Sequence, residues 1–174
     1  MATYAPDTLV TTYLEMKSPT QFKPTFSDSA EISVERMDTI DLGFYRYLYQ
    51  SVGEEYCWRD RLIMPNSDLR AILAKNTTQV FVLYVQGEPA GYVELNQEGD
   101  STEIAYFGLI KDYQGYGLGK HLLSYGIQKA WELGTKRVWL HTCNLDGPYA
   151  MANYQKRGFK PFKVEREEMP ELYQ

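Results

Sequence analysis

Three glycines at alternate positions, in Gln114-Gly115-Tyr116-Gly117-Leu118-Gly119, constrain the fold of this chain more than any other feature. The run before them, Ile104-Ala105-Tyr106-Phe107 with Leu109 and Ile110, has the length and aromatic content of a buried strand. Leu122, Leu123, Ile127 and Ala130 follow at helical spacing. A strand therefore meets a helix across a turn whose glycines let the backbone bend sharply and leave its N–H groups bare. The helix N-terminus adds partial positive charge, so the stretch predicts a seat for an anion such as a phosphate.

The 174 residues suffice for one domain with a sizeable core, and 44% hydrophobic with 14% aromatic residues excludes a disordered chain. A net charge of −5 argues against a general nucleic-acid binder and leaves room for a cationic substrate such as an amine. Cys57 and Cys143 lack metal-type spacing and read as free thiols in a reducing compartment; no metal site is predicted. Without a long apolar run or a charged-then-apolar leader, neither a membrane span nor a secretory signal is expected. The expected location is cytoplasmic.

Residues 1–30, with Pro6, Pro19 and Pro24, read as an arm packed on a domain of residues 31–174. Any strand in Val10–Met16 is expected to be short and at an edge. Glu31–Met37 reads as a strand and 38–52 as a helix with Asp38 as N-cap. The aromatic and charged stretch 53–61 has no period and reads as a loop, with a shorter helix over Ser67–Ala74. Gln79–Gln86, Ala90–Asn96 and the strand from Thr102 form an antiparallel meander, because two short turns join them. A helix to about Leu133 then separates the third strand from Arg137–Cys143, which makes those two parallel. Pro148 is expected in the first turn of a helix over Tyr149–Arg157, followed by a strand over Phe159–Val164.

Three phosphate-binding motifs fail on spacing or context. A Walker loop needs four residues between its glycine and Gly-Lys and then Ser or Thr, but Lys120 here precedes His121. A dinucleotide fingerprint needs G-x-G-x-x-G and an acidic residue ending the next strand, which here ends His141-Thr142-Cys143. A kinase glycine loop joins two antiparallel strands and belongs to a wider motif set absent here. By contrast, Gln114-x-x-Gly117-x-Gly119 between strand and helix resembles the acyl-CoA loop of the GCN5-related N-acetyltransferases (GNAT). The order of elements matches that family over roughly residues 31–165. So does a late signature, Ala150, Tyr154 and Gly158-Phe159.

The resemblance implies a single-domain α/β fold: a mixed, mostly antiparallel sheet, a splayed parallel strand pair and flanking helices. It implies an N-acetyltransferase that moves the acetyl group of acetyl-CoA to a primary amine by direct attack, as a monomer or homodimer, without membrane or nucleic-acid partners. Main chain at Phe107, Leu109 and Ile110 would pair with the pantetheine, and the N–H groups of Gln114, Gly115, Tyr116, Gly117, Leu118, Gly119 and Lys120 would hold the pyrophosphate. Tyr154 matches the tyrosine that protonates the departing thiolate. Glu103, eleven residues before Gln114, stands where one branch of the family places its base; Glu94 and a water chain are the alternatives. By strand alternation Glu103 is expected to share a face with Ala105, Phe107 and Leu109. Many relatives carry a pantetheine-contacting Asn seven residues before the tyrosine. Here Asn144 is ten before it, and Asn153 is the fallback contact. His121 and His141 read as an exposed first-turn residue and a strand residue. The competing reading is a non-catalytic acyl-CoA-binding or regulatory module that keeps the fold.

Overall fold

The meander predicted between Gln79 and Ile110 forms the centre of a seven-stranded sheet. The computed structural model describes residues 6–174, so the first five residues of the expected N-terminal arm lie outside the described residues. In chain order the elements are β1 (Thr8–Met16), β2 (Ile32–Arg36), α1 (Leu42–Gly53), α2 (Asp60–Ile63), α3 (Asn66–Ala74) and β3 (Thr78–Val85). Then come β4 (Glu88–Glu98), β5 (Ser101–Leu109), α4 (Leu118–Glu132), β6 (Arg137–Cys143), α5 (Ala150–Lys156) and β7 (Lys160–Glu168). The strand order is β2-β3-β4-β5-β6-β1-β7, and every neighbouring pair is antiparallel except β5 and β6. This is the mixed, mostly antiparallel α/β fold expected from the sequence.

Each face of the central strands has its own core. Phe81, Leu83, Val93, Leu95 and Ile104 pack against Leu122, Leu123 and Ile127 of α4. Val80, Val82 and Tyr92 pack against Tyr45, Leu48 and Tyr49 of α1 and Leu69 of α3. Burial on both faces is why β3 reads as a continuous apolar run without alternation. Leu122, Leu123 and Ile127 are fully buried, each worth about 1.5–3 kcal/mol by area removed from water.

Several boundaries differ from the sequence reading. β1 is not a short edge strand. It runs nine residues between β6 and β7, because Pro6 and Pro19 flank the strand and none interrupts it. Its partners lie more than a hundred residues away in sequence, beyond the reach of local pattern. α1 is capped by Asp41, whose carboxylate accepts from Phe44 N at 2.9 Å, and not by Asp38. Part of the stretch read as a loop forms α2, and Pro148 lies ahead of α5 instead of in its first turn. Gly158 turns the chain from α5 into β7 at φ +114, where an added Cβ would overlap the carbonyl oxygen of Gln21.

Candidate active site

β5 and β6 pair over only Ser101–Glu103 with Arg137–Trp139, and then separate. The reason lies on the other side of β5. Glu94 pairs with Tyr106 and Leu95 with Ile104, so Ala105 is an extra residue, a β-bulge that bends the strand. Past the bulge the β5 edge from Ala105 to Leu109 faces a cavity of about 1080 Å³ instead of a strand. Ile110 N donates to Ala90 O at 2.8 Å, so alternation turns the main-chain groups of Phe107 and Leu109 toward that cavity. Ile110 itself is engaged, since its carbonyl also accepts from Tyr113 N.

The cavity leads from this edge to the glycine turn. Gly115 and Gly117 have φ of +87 and +77, a conformation in which a side chain would be strained. Gly117 is the N-cap of α4 and supplies no side-chain cap, so the first amides of the helix lack an intrahelical partner. Among the described residues no acceptor takes the N–H of Gly115, Tyr116 or Gly117. Gln114, Gly115, Gly117, Gly119 and Lys120 line the cavity. Tyr116 points to solvent, 76% exposed, and Leu118 packs into the core. Gln114 is held in place, its amide donating to Tyr56 Oη at 3.2 Å and Leu109 O at 3.4 Å.

α5 places Tyr154 across from β5. Its ring meets those of Phe107 and Phe159 edge-on, with centroids 6.1 and 6.3 Å away. Burial pushes the phenol well above its ordinary pKa, and the Asp146 charge adds to the shift. The hydroxyl is therefore a proton donor at neutral pH. Asn153, the neighbouring cavity residue, has a buried amide oxygen that finds no partner among the described residues.

The bulge also moves Glu103. Asn96 pairs with Glu103 and Glu94 with Tyr106, which puts Glu103 on the face of Glu94, Tyr92 and Tyr106, and not on that of Phe107 and Leu109. Glu103 lines the cavity, and no side chain among the described residues pairs with its carboxylate. Burial raises its pKa above the usual carboxylate value, and the Glu98 and Glu94 charges raise it further.

Glu94 is differently situated. It is 1% exposed, with Arg61 Nη1 at 2.6 Å from both carboxylate oxygens and Tyr45 Oη donating at 2.6 Å. Burial works against the Arg61 charge, but Glu94 and then Tyr45 hold its pKa above the usual arginine value. Arg61 also stacks over Tyr106, 4.6 Å from the ring centroid. Neither Arg61 nor Tyr45 was legible as a site residue. Arg61 lies in the stretch without a period, and its partner is 33 residues away.

Asn144 does not face the large cavity. Its amide clamps β1, donating to Thr8 O at 2.8 Å and accepting from Val10 N at 3.0 Å. His121 Nδ1 accepts from Ser27 N at 3.0 Å and is likewise held away. His141 lines the cavity beside Tyr13, with ring centroids 5.6 Å apart. Cys57 and Cys143, both free thiols, also line it. Among the described residues no group of acidic, Cys or His side chains is arranged to hold a metal, and no helix is long and apolar enough to cross a membrane.

In this chain a bulged, splayed strand pair opens onto a glycine turn at a helix N-terminus. The model of the acetyltransferase (GNAT) family matches residues 36–159, and the chain belongs to this family. A GCN5-related N-acetyltransferase from Kribbella flavida is similar in structure, with a TM-score of 0.61 at 18% identity, over 87% of this chain. The match spans 54% of that protein's length, little more than half. An aminoglycoside acetyltransferase from an uncultured soil metagenomic sample, solved with trehalose, gives 0.61 at 21% identity over 73% of this chain and 87% of its own. The ribosomal-protein-S18-alanine N-acetyltransferase of Escherichia coli gives 0.59 at 22% over 74% and 77%. At these identities the likeness shows the fold.

Proposed function

We propose that this chain transfers the acetyl group of acetyl-CoA to a primary amine by direct attack within a ternary complex. The observation that carries the proposal is the continuous main-chain surface from the open edge of β5 to the uncapped start of α4. An acyl-CoA needs amide partners for its pantetheine and a cationic seat for its diphosphate, and the two lie end to end here. The Phe107 and Leu109 groups that face the gap pair with the pantetheine, and the N–H groups of the glycine turn hold the diphosphate. The Leu109 N–H polarises the thioester carbonyl and stabilises the oxyanion that forms on it.

The amine arrives as ammonium and loses a proton to Glu103, directly or through water, before its nitrogen attacks the thioester carbon. As the tetrahedral intermediate collapses, the C–S bond breaks, Tyr154 gives its proton to the thiolate, and the second proton shed by the acylated nitrogen passes through water to restore the phenol. The products are an amide and CoA. Glu103 suits the base because its carboxylate is unpaired, lines the cavity and has a raised pKa. Glu94, closed in by Arg61 and Tyr45, serves to fix that wall of the site.

The test is thiol release from acetyl-CoA across a panel of primary amines, with mass analysis of the products. The proposal expects amine-dependent release and a product heavier by one acetyl group. Acetyl-CoA binding with no turnover on any amine, unchanged by Tyr154→Phe, identifies a non-catalytic acyl-CoA-binding module instead.

A further inference from the structure

The chain leaving β7 crosses the molecule. In the sheet, β7 lies beyond β6 and β1 from the opening between β5 and β6. The helix α2 stands on the other side of that opening, with Arg61 over Tyr106 of β5. Yet Tyr173, in the short helical turn Glu171–Tyr173 past the end of β7, donates its hydroxyl to Asp60 at the start of α2. The distances to the two carboxylate oxygens are 3.1 and 3.2 Å. Residues 169–174 are therefore a strap over the opening, and Pro170 and Tyr173 line the large cavity.

The strap is firmly rooted and lightly held at its far end. Met169 is 5% exposed, and its N–H donates to Asp7 O at 2.9 Å. Gln174 Nε2 donates back to Met169 O at 2.9 Å, and Tyr173 N to Pro170 O at 3.0 Å, so the segment folds on itself. Among the described residues, the Tyr173 hydroxyl makes its only hydrogen bonds to α2. Burial, and then the Asp60 charge, push the Tyr173 pKa up to about 12, so the phenol keeps its proton at neutral pH and gives it to the carboxylate. Tyr49 of α1 and Cys143 of β6 raise it further, and these two groups stand on either side of the opening.

The strap also lies on the side of Glu103. Register carries the face of Glu103 across to Trp139 and His141 of β6, Tyr13 and Thr11 of β1 and Glu165 of β7. On β4 and β5 the same face packs against α1, whereas α4, which starts at the glycine turn, packs on the opposite face. We propose that Tyr173 and Asp60 determine acceptor specificity: as the clasp of this strap they admit a small primary amine and exclude one borne on a polypeptide. The inference rests on the amine transfer proposed above. A small-molecule cavity usually measures about 300–1,000 Å³, and the one here, of about 1080 Å³, must also take the pantetheine. The space left suits a compact acceptor. Beside the strap, the Tyr56 hydroxyl accepts from Gln114 Nε2 at 3.2 Å and lies against Gly147, which closes the next stretch of the opening. A polypeptide laid across this mouth has to displace the strap, and a small amine does not.

Cys143 lines the cavity as a free thiol, so its reactivity reports how open the mouth is. The test labels the whole chain with a small reagent, methyl methanethiosulfonate, and a bulky one, a fluorescein maleimide, and follows Cys143 by mass spectrometry. Tyr173→Phe removes the clasp and keeps the ring; it is expected to speed the bulky reagent roughly tenfold and leave the small one nearly unchanged. Asp60→Ala should do the same, and Asp60→Asn, which keeps an acceptor, should behave as the unaltered chain. With acetyl-CoA, a short lysine peptide with both ends blocked should be acetylated by Tyr173→Phe and not by the unaltered chain, at equal acetyl-CoA affinity. Equal labelling of Cys143 by the bulky reagent in the unaltered chain and Tyr173→Phe overturns the proposal. So does acetylation of the peptide by the unaltered chain at the rate of Tyr173→Phe. The labelling needs no acceptor, so a strap found there with no turnover on any amine faults the transfer reading and not the strap.

Discussion

On the donor side of the cavity, β5, the glycine turn and α4 follow one another in the sequence, and what they present is main chain. On the opposite wall Arg61 of α2 and Glu103 of β5 present side chains, and behind them Tyr45 of α1 and Glu94 of β4 hold Arg61 in place while Glu103 stands unpaired among the described residues. The difference has a physical origin. A diphosphate and a pantetheine ask only for N–H and C=O groups in a fixed arrangement, which a bulged strand and a helix start supply with little demand on side-chain identity. Deprotonating an amine asks for one carboxylate with a tuned pKa, which takes charges brought together from distant parts of the chain. Changes on the side-chain wall should therefore reach stability and pH dependence, and changes on the donor side should reach cofactor binding alone.

The largest effect expected is on the side-chain wall. Arg61→Met leaves the Glu94 carboxylate buried without its cation, which costs about 3–5 kcal/mol of stability. Urea unfolding of the variant measures it, and a loss below about 1 kcal/mol would mean that the ion pair does not organise this wall. Next is Tyr154→Phe, which keeps acetyl-CoA affinity and lowers kcat by roughly 10²–10⁴-fold. A fall in affinity with kcat preserved would instead make Tyr154 a packing residue.

Glu103→Gln has a smaller effect, and one that depends on pH. The base must be ionised, and burial raises its pKa, so the acid limb of kcat/KM should lie above the ordinary carboxylate range. The variant should lose most activity near neutral pH and recover toward high pH, where free amine is abundant. Stability moves the other way. Folding holds the Glu103 pKa above its unfolded value, so its favourable contribution is present below the unfolded pKa and lost as pH rises through the folded one. The glutamine variant should therefore melt above the unaltered chain at neutral pH, with the gap closing in acid. A pH-independent loss of rate would assign Glu103 to packing. The smallest change is Asn144→Ala, which unclamps β1 at a cost of about 0.5–1.5 kcal/mol and leaves acetyl-CoA affinity unchanged. A weakened affinity there would return Asn144 to the cofactor.

The same division explains what the sequence made legible. The strand, turn and helix of the donor side are local, so period, glycine spacing and the Ala150, Tyr154, Gly158-Phe159 signature were enough to place them. The meander and the parallel crossover followed from loop length. Alternation misplaced Glu103, because a bulge at Ala105 shifts the faces of the strand by one residue and nothing in Ile104-Ala105-Tyr106 announces it. Asn144 was aligned by spacing, but its amide serves β1, a strand from the other end of the chain. Arg61 went unread because its pairing with Glu94 exists only after α2 has packed over the sheet.

The claim on which the account rests is that the turn from Gln114 to Lys120 holds the diphosphate of an acyl-CoA. Gly117→Glu, with Gly117→Ala as the control for the strain of any side chain at φ +77, tests it most directly, because the position has open space around it and the glutamate places a carboxylate at the start of α4. Calorimetric titration with acetyl-CoA should show binding to the unaltered chain and the alanine control and none to the glutamate variant, while circular dichroism shows the fold retained. Equal affinity in the unaltered chain and the glutamate variant would contradict it.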